Sequence, residues 1–167
     1  MITGNVIEVR KPDGLPDMQT EGQARGWKIT VMFSDILNFV TAKTVDDAKK
    51  NAELPEQYVM KEDDRDLALV YLQEGVSNIY MVIARRMAQT PQIFGNCVTF
   101  DLTVGQNHDD NMANVLYLKI VDYLQNYLYL RWTNLANTDN LEGKLDAIRS
   151  VMHYRKHGIT RKVTNLI

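Results

Sequence analysis

Asp64-Arg-Asp-Leu-Ala-Leu-Val-Tyr-Leu-Gln-Glu-Gly-Val-Ser-Asn-Ile-Tyr-Met-Val-Ile-Ala-Arg-Arg-Met87 sets the architecture of this chain. Leu69, Leu72, Val76, Ile79, Ile83 and Met87 recur at three- and four-residue steps, which places them on one face of an amphipathic helix. Asp63, Asp64 and Asp66 fall in or before the first turn and Arg85 and Arg86 near the last, the arrangement that opposes the helix dipole. Gly75 in the middle costs about 1 kcal/mol relative to Ala, so its position predicts close approach of a neighbour. Thr90-Pro91 is the expected stop.

Downstream, Cys97-Val-Thr-Phe-Asp-Leu-Thr-Val104 alternates with period two, with Val98, Phe100, Leu102 and Val104 on its apolar face. It reads as a hairpin arm or an edge strand. Two helices follow a polar loop over 105–111. The first spans about 112–136, with Leu116, Ile120, Leu124, Tyr127, Leu128 and Leu135 in its stripe. Its tyrosines, Tyr117, Tyr123, Tyr127 and Tyr129, point several ways, a pattern often found on a helix with more than one partner. The second spans about 140–157, with Asp139 and Glu142 as capping box, Leu141, Leu145, Ile148 and Met152 as stripe, and Gly158 as C-cap. Residues 159–167 form a short, β-prone tail that must dock on its own sheet or on a neighbour's sheet edge.

Upstream, Thr44 and Asp47 predict a capped short helix to about Leu54, ended by Pro55, with Val45, Ala48 and Ala52 as its apolar stripe. Residues 34–42 fit a helical turn or a loop equally. Trp27, Ile29, Val31 and Phe33 share one face of a strand, and residues 5–10 form another, separated from it by turn residues Pro12, Gly14 and Pro16 and a polar loop over 19–26. The expected class is mostly α, in the α+β sense: a four-helix core with an N-terminal β-rich segment, an inserted β segment and a C-terminal extended arm. The expected divisions are 1–42, 43–158 and 159–167.

The 167 residues, 45% hydrophobic, suit one soluble domain. Cys97 is the sole cysteine, which rules out an intrachain disulfide. Residues 1–10 lack a signal-peptide pattern, and the apolar run Leu67 to Leu72 is too short to span a bilayer, so the expectation is a soluble protein made in the cytoplasm, without a membrane partner. Net charge is −2, unevenly spread: residues 1–146 hold 14 Lys and Arg against all 21 Asp and Glu, and residues 147–167 hold five cations and no acid. An acidic body with a basic tail suits contact between subunits or with a polyanion.

Catalytic motifs are absent. Gly143-Lys144 lacks the rest of a phosphate loop, and there is no dinucleotide fingerprint, nucleophile elbow or zincin pair. His153 and His157 sit four apart, but Arg155 and Lys156 surround them with positive charge, and a solvated helix end explains them. His108, Asp109 and Asp110 read as a polar turn into a helix N-cap, Cys97 as a structural thiol, and Glu62, Asp63, Asp64 and Asp66 as a solvated helix start. The expectation is a non-enzyme with no metal and no cofactor.

Three stretches carry a family resemblance: Thr44-Val-Asp-Asp-Ala-Lys-Lys50, Asp63-Asp-Arg-Asp-Leu-Ala-Leu-Val-Tyr-Leu72 continuing to Ala84-Arg85, and Ser150-Val-Met-His-Tyr-Arg155. With the order of elements, they make residues 44–156 resemble the small head–tail connector (adaptor) proteins of long-tailed bacteriophages. Residues 1–42 are additional to that family's pattern, and Tyr127-Leu-Tyr-Leu-Arg-Trp132 keeps only part of its aromatic–Glu–Asn–Arg stretch. The resemblance implies a virion structural protein in a ring of about a dozen copies between portal and tail proteins, with DNA passing through the lumen. It makes Arg149, Arg155, Lys156, Arg161 and Lys162 candidates for subunit-interface or sequence-independent DNA contacts, and Ile159, Val163, Leu166 and Ile167 the apolar positions of a docking arm. The alternatives are a small regulatory or nucleic-acid-binding module using the basic tail, and an enzyme assembled from separated residues.

Overall fold

The computed structural model describes residues 6–10, 25–105, 108–135 and 138–154. Strand β1 (Val6–Arg10) and strand β2 (Arg25–Met32) lead directly into helix α1 (Phe33–Lys50). Helix α2 (Arg65–Ile83), strands β3 (Gln92–Phe94) and β4 (Cys97–Val104), and helices α3 (Asn111–Thr133) and α4 (Thr138–His153) follow. The α+β, helix-rich class expected from the sequence is what the chain adopts.

The strands form one antiparallel sheet in the order β1-β2-β4-β3. Trp27 lies opposite Leu102, Ile29 opposite Phe100 and Val31 opposite Val98, so the two alternating segments supply one buried apolar face. Between these rows Thr30 and Thr99 share a buried hydroxyl–hydroxyl hydrogen bond of 3.0 Å. β4 is thus an interior strand and a hairpin arm, not an edge. Its hairpin partner β3 has no counterpart in the sequence reading. The two-residue turn Gly95-Asn96 joins them, and Gly95, at φ 55°, takes the left-handed conformation that a tight hairpin needs at its first central position.

Several expected boundaries move. α1 is one continuous helix that absorbs residues 34–42, and Thr44 sits inside it rather than at its start. Its buried stripe is Phe33, Ile36, Leu37, Val40 and Thr44, not Val45, Ala48 and Ala52. The Thr44 hydroxyl donates to the Thr41 carbonyl and accepts the Met60 backbone N–H at 3.1 Å, tying the connection after α1 to the core. The division expected between residues 42 and 43 falls within this helix, and β1 and β2 share a sheet with β4. α2 gives way at Ile83 to a 3-10 turn, Ala84–Arg86, after which Met87 bridges to Leu102; the chain leaves the helix before Thr90-Pro91. α3 stops at Thr133, where Asn134 adopts φ 54° and caps it, leaving Leu135 exposed instead of in the stripe. α4 ends at His153. The expected Asp139 side-chain cap, His157, Gly158 and the tail lie outside the described residues.

α3 is the central helix, in contact with α1, α2, α4, β1 and β2. That position explains its tyrosines. Tyr123 is buried and accepts a hydrogen bond from Asn78 at 3.1 Å, Tyr127 donates to Glu74, and Tyr129 donates to Asp47 at 2.7 Å. Three of the four tyrosine hydroxyls thus find partners within the chain. Gly75 behaves as its position predicts: a Cβ there would lie 3.0 Å from Leu124 Cδ2 and 3.1 Å from Tyr127 Cδ1, so its absence lets α2 and α3 approach.

Candidate assembly surface

α2 buries Ala68, Leu72, Gly75, Val76, Ile79 and Ile83, and that face completes the core. Its opposite face carries an interrupted strip of exposed apolar side chains, with Gln73 and Ser77 exposed between them. Leu67 is 48% exposed, Val70 49% and Met81 77%, along about 21 Å of helix at 1.5 Å per residue. The segment Glu62–Arg86 has a mean hydropathy of 1.3 over its most apolar window, of which only 33% is buried; by length and composition alone it is apolar enough to cross a membrane. Leu67 and Val70, three positions apart, are surface neighbours at the start of α2, and Met81 stands near its end.

The one acidic residue inside that strip is neutralised. Glu74 accepts from Tyr127 at 3.1 Å and from Arg131 Nε at 3.2 Å, and the Arg131 guanidinium lies over the Tyr71 ring. Burial first, and then Glu74, pushes the Tyr127 phenol above its ordinary range, while its bond to Glu74 holds Arg131 still more firmly protonated.

Charge collects at the two ends of the strip. Glu62, Asp63 and Asp66 are exposed at the N-terminal end, and none forms an ion pair with another described residue. Asp64 is different: its carboxylate accepts the Lys61 backbone N–H at 2.8 Å and caps the turn. At the other end lies a cleft of about 360 Å³. Val82, Ile83 and Met152 give it an apolar floor, and Arg85, Arg86, Arg149 and His153 form its rim. Among the described residues Arg85 and Arg86 have no ion-pair partner, whereas Arg149 pairs with Asp146 one turn away at 2.6 Å.

Of the candidates named from the sequence, Arg149 alone lies among the described residues, and the fold sets it beside Arg85, Arg86 and His153. Arg155, Lys156, Arg161 and Lys162, and the arm positions Ile159, Val163, Leu166 and Ile167, lie outside them. Arg85 and Arg86, read from the sequence as dipole compensation, are the residues that reading missed; an adjacent arginine pair at a helix end was the available signal.

The other side chains singled out have structural positions. Cys97 is buried, its thiol 3.5 Å from the Phe94 carbonyl. His108 is buried in the turn before α3. Its Nδ1 accepts the Gly105 N–H, so its Nε2 donates to the Met152 carbonyl at 3.0 Å. Asp110 holds the N-cap position of α3 without a side-chain capping bond and accepts from Trp27 Nε1 instead. No grouping of three or more metal-ligating side chains occurs among the described residues.

Comparison with protein-family models, curated proteins and solved structures finds no match to this chain.

Proposed function

We propose that this chain is a virion structural protein, a head–tail connector that assembles with copies of itself into a ring between the portal and the tail of a bacteriophage, with DNA passing through the lumen. The observation that carries the reading is the outer face of α2, which still exposes Leu67, Val70 and Met81 after the core is complete. Such a strip is costly to leave in water and gains free energy when a protein surface covers it. Closed rings of one chain are built from heterologous contacts, in which two different patches of the same surface meet. α2 carries unlike patches at its two ends. The sequence resemblance over residues 44–156 supplies the virion setting, and the basic residues beyond Asp146 suit a lumen or a neighbour's acidic surface.

Electron microscopy of the purified chain tests this. Closed rings with an opening wide enough for duplex DNA are expected. Particles of one or two chains at every concentration contradict the reading.

A further inference from the structure

We infer that the arginine-rimmed cleft at the end of α2 receives the acidic start of α2 from a second copy of this chain, so that subunits join head to tail. The inference rests on the assembly reading above and adds the pairing of surfaces. The cleft needs an occupant that is apolar and anionic together: its floor is Val82, Ile83 and Met152, and its rim carries three guanidiniums, two of them without a described ion-pair partner. A bare phosphate chain would satisfy the rim and leave the floor uncovered. The opposite end of α2 offers both properties close together, with Glu62 and Asp63 in the 3-10 turn that precedes it and Asp66 in its first turn, near the exposed Leu67 and Val70.

Charge sets the orientation. Two α2 helices side by side and parallel bring like ends together, which is repulsive; antiparallel and end-to-end contacts both bring the arginines onto the carboxylates, and only the second leaves an open end to propagate into a ring. Exposed ion pairs contribute little individually. Here the apolar contact supplies affinity and the charges select which ends meet.

The test is charge reversal with complementation, read by sedimentation in the full chain. Arg85→Glu with Arg86→Glu, and separately Glu62→Arg with Asp63→Arg, should each weaken self-association at least about tenfold. Mixing the two variants should restore assembly, because each now offers the end the other lacks. Far-UV dichroism and thermal midpoint should match the unaltered chain; Arg85→Glu alone, at an exposed position, serves if the double variant misfolds. Assembly of both variants at unaltered strength overturns the inference while leaving the connector reading standing. So does a restored species of only two chains, since isologous pairing closes at two. Loss of salt-dependent DNA retardation in Arg85→Glu/Arg86→Glu with assembly intact overturns it in favour of a nucleic-acid site. An unaltered chain that stays monomeric overturns the connector reading itself.

Discussion

Replacing Trp27 by Ala is expected to cost about 3–5 kcal/mol of folding free energy, the largest single-residue effect in this chain. Trp27 is fully buried, faces Leu102 across the β2–β4 ladder, packs edge-on to His108 and donates from Nε1 to Asp110 at 3.2 Å. The substitution removes the ring's apolar burial, leaves a cavity that sheet and α3 only partly fill, and deprives Asp110 of that donor. A domain of this size has about 5–15 kcal/mol in hand, so much of the stability disappears. Urea titration should show a lower midpoint at unchanged slope. Trp27→Phe, which keeps most of the apolar volume, should recover more than half of the loss. A cost below about 1 kcal/mol for Trp27→Ala contradicts a core shared by β2 and the helices, and would make the first 42 residues a peripheral segment after all.

Leu67→Glu combined with Met81→Glu is expected to leave the fold nearly untouched and to dissociate the assembly. Both side chains face outward, so in a lone chain the change stays within about 0.5 kcal/mol per site. In an interface the Leu67 change removes an apolar contact from the cleft floor and the Met81 carboxylate is stripped of water, which together cost about 3 kcal/mol or more, or more than a hundredfold in affinity. Light scattering should report single chains with unaltered far-UV dichroism. If the double variant assembles as before, the outer face of α2 is not the contact surface.

Much of this architecture is legible in the residues, because burial writes itself as periodicity. The three- and four-residue steps of α2 and the alternation of Val98, Phe100, Leu102 and Val104 each match a buried face. α1 was split because Thr44 plays two parts. A hydroxyl residue followed by an acid three positions on looks like a cap, yet here it is a buried member of the stripe, its oxygen committed to Met60 N–H and the Thr41 carbonyl. β3 was missed because three residues are too few to show alternation, although Gly95-Asn96 is itself a hairpin turn signal. The candidate surface was the least legible part. Arg85 and Arg149 are 64 positions apart, and only the packing of α2 against α4 sets them around one cleft. The exposure of Met81 follows from the periodicity itself, since Met81 falls outside the stripe of α2.

Sedimentation equilibrium of the unaltered chain across a wide concentration range decides whether copies join through the outer face of α2. The mass is expected to rise from the 19.2 kDa of one chain to a discrete larger species, whose formation depends on Leu67 and Met81. A single 19.2 kDa species at every concentration contradicts it.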